Sequence, residues 1–192
     1  MLQVNTALRR APALDKDKEQ LRQIIKSESF LTGDFTLASG QHSSYFLDMK
    51  KTIFHPQGAS LVANLLFEMV KDEDVEYIGG LEIGAIPIIA NICARSWPER
   101  PLKAFFVRKA LKEHGTNKLI DGQFAPNSKV VLFEDVTTTG GSVMKAVNAV
   151  REQGCTVKKV LTIVDRLEGA TDNLKHADLE LVHLFTIKEL LD

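Results

Sequence analysis

Val130-Val131-Leu132-Phe133-Glu134-Asp135-Val136-Thr137-Thr138-Thr139-Gly140-Gly141-Ser142 reads as an apolar strand that ends in two carboxylates and runs into a polar, glycine-bearing loop. Val143, Ala146, Val147 and Val150 then recur at helical spacing, so a helix follows the loop. The residue types state a chemistry. Two glycines permit a tight turn and close backbone approach, and unpaired N–H groups at a helix start, beside three Thr hydroxyls and one Ser, suit a phosphate. Glu134 and Asp135 would repel that phosphate but can accept hydrogen bonds from sugar hydroxyls one ribose away, so the combination points to a ribose 5-phosphate. An ordinary turn in which Asp135 and the threonines merely cap the helix accounts for any one of these residues, not for the set. The loop has neither the Walker A nor the dinucleotide-binding glycine spacing, which disfavours P-loop hydrolases and nicotinamide enzymes.

Outward from this segment, strands and helices alternate. Strands are expected at 77–80, 102–107, 129–133, 157–164 and 180–185, and helices at 57–71, 85–96, 141–153 (closed by Gly154) and 171–176, with a terminal turn at 187–191. Several strands are apolar nearly throughout, such as Val160-Leu161-Thr162-Ile163-Val164, which implies a mostly parallel sheet covered on both faces. Upstream, Leu21, Ile24 and Ile25 mark an amphipathic helix over Asp15 to Ser27, capped by Asp15 or Asp17, and residues 35–51 suit a hairpin or hood. Residues 1–14, with Arg9 and Arg10, are expected to be a loosely held extension.

Composition bounds the function. The 192 residues suit one domain (1–14 extension, about 15–55 helix and hood, about 56–192 core), and 44% hydrophobic residues suffice for a core. The formal charge of −1 gives no general pull toward nucleic acid or anionic membrane, and no apolar run approaches the roughly 20 residues of a membrane span. Cys93 and Cys155 are too few for a disulfide framework and read as two buried free thiols, which fits a reducing, cytoplasmic compartment. His42, His55, His176 and His183 share no metal-ligand spacing and suit surface or cap positions. Trp97, beside Pro98, suits an edge or a dimer contact.

One loop departs from the neutral average. Arg108 to Lys118 holds four Lys and Arg, one His and one acid, for a local charge of +3. It could be a solvated surface loop or could fold over an anion.

With these residues in view, Val130 to Ser142 resembles the phosphoribosyl-diphosphate (PRPP) motif of type I phosphoribosyltransferases. The stretch Arg108-Lys109-Ala110-Leu111-Lys112-Glu113-His114-Gly115 is similar to the mobile catalytic loop of the orotate phosphoribosyltransferase family. Phe35 to Gly40 with Ser43 to Asp48 resembles that family's hood, Gly79 to Pro87 its pyrophosphate-side loop, and Asp165-Arg166 the pair whose Arg meets orotate. The resemblance runs from about Leu31 to Arg166 with the motifs in family order. It implies the type I phosphoribosyltransferase fold with a small N-terminal hood, and a reaction of orotate with PRPP giving orotidine 5′-monophosphate and pyrophosphate in pyrimidine biosynthesis.

The resemblance also distributes roles. PRPP would meet Glu134 and Asp135 through its ribose hydroxyls, and Val136, Thr137, Thr138, Thr139, Gly140, Gly141 and Ser142 around its 5-phosphate. Arg108, Lys109, Lys112 and His114 would meet its diphosphate, reaching in from the partner subunit of a homodimer. Orotate would meet Thr138 and Arg166, with Tyr45 and Phe46 near its ring. Lys112, His114 and Asp135 are the expected catalytic residues, and Mg2+ is expected through substrate oxygens with no protein metal site. Ala38 and Ile83 stand where some members carry lysines, which puts two charge contacts in doubt. A phosphoribosyltransferase for another base, a PRPP-sensing module without turnover, and a generic nucleotide-binding scaffold are the competing readings.

Overall fold

A computed structural model describes residues 2–36, 42–110 and 118–192. Helix α1 (Leu2–Ile24) continues into a π-turn at Ile25–Ser29, and the hairpin β1 (Phe30–Thr36) and β2 (His42–Leu47) follows. After α2 (Met49–Ile53) and α3 (Pro56–Glu68), the order is β3 (Tyr77–Gly80), α4 (Ala85–Ser96), β4 (Lys103–Val107), β5 (Ile120–Gly122), β6 (Lys129–Thr137), α5 (Gly141–Arg151), β7 (Thr156–Asp165), α6 (Ala170–Lys175), β8 (Leu181–Thr186) and α7 (Ile187–Leu191). Six strands form one sheet in the order β5-β4-β3-β6-β7-β8, all parallel except the antiparallel edge strand β5.

Period-two alternation in β6 splits the core between the two faces. Val131 and Phe133 join Leu66, Phe67, Ile88 and Ile92 on one side, whereas Val130 and Leu132 join Val143, Val147 and Leu174 on the other. Phe67, Phe105, Phe133 and Phe185 are wholly buried, each contributing about 1.5–3 kcal/mol by burial. This double cover is why the central strands read as unbroken apolar runs.

Several sequence expectations change. α1 begins at Leu2, so Asp15 and Asp17 lie inside the helix and do not cap its start, and residues 2–14 form its first turns. Two short elements, α2 and β5, carried too little periodicity to be expected. Strand β6 continues through Thr137, which makes Glu134 to Thr137 strand residues and not loop residues. The reason is pairing: past Phe133, where β3 ends, β7 still hydrogen-bonds β6, with Glu134 opposite Thr162 and Thr137 opposite Asp165. Cys155 is buried, but Cys93 is only half-buried. Trp97 is 73% exposed.

Chain connectivity places the site. From β3 the chain crosses to β4 on one side and later returns to β6 on the other, so the helices after β3 and β6 diverge beyond the carboxyl ends of two adjacent strands. A parallel sheet holds its ligand in such a crevice.

Candidate active site

The turn from β6 into α5 meets the requirements of an anion cradle. Gly140 takes φ +82°, a left-handed conformation that favours glycine, and among the described residues no side chain caps the first N–H groups of α5. The capping alternative for the three threonines therefore fails. A cleft of about 340 Å³ opens here, lined by Glu134, Val136 to Val143 and Lys145. Lys145 was missed in the sequence, where a lone lysine on an amphipathic helix carries no signal. Placed one turn into α5, it adds a cation beside the cradle.

The carbonyls of the turn face away from the cleft. Arg166 N donates to Thr137 O (2.9 Å), Ala170 N to Thr138 O (3.1 Å), Asn173 Nδ2 to Thr139 O (2.9 Å) and Met144 N to Gly140 O (3.0 Å). Behind them the buried Asp165 carboxylate accepts from Leu167 N (2.9 Å) and from the hydroxyls of Thr137 and Thr171 (3.4 Å each).

Beside the cradle sit the paired carboxylates. Glu134 is 7% exposed and its Oε2 has no hydrogen-bond partner among the described residues. Burial first, then the neighbouring Asp135 carboxylate, push the Glu134 carboxyl up to about 8, against the opposing charge of Lys109. Asp135 accepts from Val136 N (2.9 Å) and lies over the β3–α4 turn, where a Cβ on Gly84 would meet its oxygens at 2.7 and 2.8 Å. Lys50 on α2, also missed in the sequence, is held above its usual range by Asp48 and, more weakly, by Asp135. Its signal was its place in the run Asp48-Met49-Lys50-Lys51 next to the hood.

The hood and the far end of β7 meet around Tyr45. Its hydroxyl accepts from Arg166 Nε (3.2 Å), the guanidinium lies 5.1 Å from its ring centroid, and Phe30 stacks on the ring at 5.5 Å. Glu168 also pairs with Arg166 (2.9 Å). Phe46 does not join them: strand alternation turns it to the opposite face of β2, against Phe35 and 42% exposed. Arg166 is thus one residue from Asp165 and one backbone hydrogen bond from Thr137, which ties the Tyr45 region to the cradle.

On the opposite side, the base of the cationic loop is anchored within the chain. Arg108 donates to Asp121 (2.7 Å from Nε), with Glu82 at 4.0 Å, and Lys109 N donates to Glu82 Oε1 (2.8 Å). Gly122 has φ +105° and lies where a Cβ would be 2.7 Å from Ala104 O, so a glycine is required by the β4–β5 pairing. Lys112, His114 and Gly115 lie outside the described residues, as does Ala38. No group of three or more metal-ligating side chains occurs among the described residues, and no described helix is long and apolar enough to cross a membrane.

Known proteins resemble this chain along nearly its whole length. The orotate phosphoribosyltransferase of Rhodopseudomonas palustris (strain BisB5) is 45% identical over 180 residues, covering 91% of this chain and 96% of the relative. That of Methanocaldococcus jannaschii is 44% identical over 178 residues, with 92% and 98% covered. The crystal structure of the Mycobacterium tuberculosis orotate phosphoribosyltransferase in complex with PRPP superposes with a TM-score of 0.79 at 31% identity, covering 92% of this chain and 99% of that one. No family model matches the chain.

Proposed function

Because the chain belongs to the orotate phosphoribosyltransferase family, we propose that it transfers the 5-phosphoribosyl group of PRPP to orotate, giving orotidine 5′-monophosphate and pyrophosphate in pyrimidine biosynthesis. The observation that carries this reading is the juxtaposition of a helix start without a side-chain cap, a buried Glu134 beside the half-buried Asp135, and the Arg166–Tyr45 pair at one end of the sheet. Anion, sugar and base acceptor each have a complementary surface there.

Departure of pyrophosphate leaves positive charge on the ribose and negative charge on the leaving oxygens. In this reading the backbone of Thr137 to Gly141 and Lys145 seat the 5-phosphate, and Glu134 and Asp135 clamp the ribose hydroxyls so that C1 is aligned with the acceptor. Arg166, braced by Tyr45, holds the orotate carboxylate, with Thr138 beside it. Lys112 and His114 stabilise the leaving diphosphate, and closure of their loop excludes water.

Magnesium fits the donor set as a substrate-borne ion. Glu134 Oε2 is an unpartnered buried oxygen and Asp135 adjoins it, but no further carboxylate completes a protein cage among the described residues. These two residues would hold the ion through ribose oxygens, and the ion would neutralise diphosphate charge.

The test is orotate consumption dependent on PRPP and magnesium, measured by loss of orotate absorbance. Absence of turnover with orotate, or turnover with another base instead, rejects the assignment. Tyr45→Phe, which removes the acceptor for Arg166, is expected to raise the orotate KM about three- to tenfold with the PRPP KM unchanged. An unchanged orotate KM would detach Tyr45 from base binding.

We further propose a cytoplasmic homodimer in which the Arg108–Lys118 loop serves the partner's site. Lys112→Ala and Arg166→Ala should each be nearly inactive, yet refolding them together should restore about a quarter of wild-type activity, because half the molecules are then mixed dimers with one intact site. No recovery would place the loop over its own subunit's site.

A further inference from the structure

We infer that Asn173, on α6, is a positioning residue that sets the direction of one anion-binding N–H in the phosphate cradle, an inference that rests on the PRPP assignment above. A peptide unit is planar and trans, so its carbonyl and its N–H point in opposite directions. Fixing the carbonyl therefore aims the N–H of the next residue. In the β6–α5 turn the three threonine carbonyls are fixed in this way by donors from one segment: Arg166 N aims the Thr138 N–H, Ala170 N aims that of Thr139, and Asn173 Nδ2 aims that of Gly140.

Two of these donors are backbone and belong to the fold. The third is a side chain, and it controls the peptide with the most freedom to rotate. Thr139 is exposed, and Gly140 is a glycine at φ +82°, so rotation of the Thr139–Gly140 peptide meets no Cβ at the second residue. Without the Asn173 amide the Thr139 carbonyl is free to turn toward the cleft, where it would replace a donor by an acceptor facing the phosphate. α6 is itself firmly seated, with Ala170 and Leu174 buried and both at ordinary van der Waals distance from where a Cβ on Gly140 would stand. Asn173 thus reaches the turn from a fixed platform while remaining exposed.

Asn173 sits 34 residues from its partner, and nothing in Ala170-Thr171-Asp172-Asn173-Leu174 marks it beyond an ordinary exposed helix position. It touches no substrate in this arrangement and acts through Gly140.

The experiment compares wild type with Asn173→Leu, which keeps the shape and loses the donor, and Asn173→Gln, which retains an amide donor. Asn173→Leu is expected to raise the PRPP KM and the dissociation constant for inorganic phosphate, by titration calorimetry, about tenfold, the scale of one lost charge-assisted hydrogen bond. The orotate KM and the Tm should stay at wild-type values, and Asn173→Gln should recover at least part of the PRPP affinity. An unchanged PRPP KM and phosphate affinity in Asn173→Leu, or a fall in Tm with both KM values rising together, overturns the inference. Should wild type bind phosphate but turn over no orotate, the functional assignment fails while the phosphate titrations still judge Asn173. Failure of wild type to bind phosphate overturns both.

Discussion

Replacing Gly84 by alanine is expected to lower kcat/KM about a hundredfold while leaving the fold in place. Gly84 has ordinary helical dihedrals (φ −60°, ψ −39°), so alanine suffers no backbone strain. Its Cβ, however, would stand 2.7 Å from one Asp135 oxygen and 2.8 Å from the other, closer than real Cβ contacts allow. Asp135 must then move, because α4 is anchored by the fully buried Ala85 and Ile88. A displacement near 1 Å at a group aligning the ribose is enough for about 10²-fold in rate. The stability cost is about 1 kcal/mol, from alanine at the start of α4. Steady-state kinetics with a thermal melt separate the two effects. Near-wild-type turnover would show that Asp135 has no part in aligning the sugar.

The second large effect is on stability against pH. Glu134 keeps its proton in the folded, substrate-free protein up to about pH 8, whereas the unfolded chain releases it near 4.5. The folded state therefore binds more protons between these values, and its stability falls as pH rises through that window. The contribution is fully present below pH 4.5 and lost above 8. Glu134→Gln keeps the shape without the ionisation, so the Tm of the variant minus that of wild type should grow from pH 5 to pH 8.5 by roughly 10 °C, since about three pH units of linkage amount to about 4 kcal/mol and a domain of this size moves about 2–4 °C per kcal/mol. Parallel curves would mean that Glu134 is already ionised in the folded protein. In wild type, PRPP binding at pH 7 should release protons, since ribose hydroxyls donating to Glu134 favour its charged form.

Local sequence carried much of this architecture. The apolar runs at Val130 to Phe133 and Val160 to Val164, the glycines at 140 and 141, and the helical spacing of Val143, Val147 and Val150 state a covered parallel sheet with an anion turn, because period and turn chemistry act over a few residues. Where local signals were weak the reading stopped short. The strand character of Glu134 to Thr137 is secured by the partner β7, since the two carboxylates interrupt the apolar run ahead of the β-branched Val136 and Thr137. The start of α1 was obscured for another reason: Leu2 to Leu14 mix apolar residues with Arg9, Arg10 and the helix-breaking Pro12 and mark no cap.

What the chain determined by itself was the kind of chemistry: donors for a phosphate, carboxylates for a sugar, cations held on one loop of a neutral protein. Tertiary structure alone decided which of these groups meet. It faced Tyr45 toward Arg166 across 121 residues and turned Phe46 away, laid Asp135 over Gly84, buried Glu134 with an oxygen that has no partner among the described residues, and brought Asn173 behind the phosphate turn. These meetings depend on strand order and register, which join residues distant in the chain, and a one-residue change in register would present the opposite face of each strand.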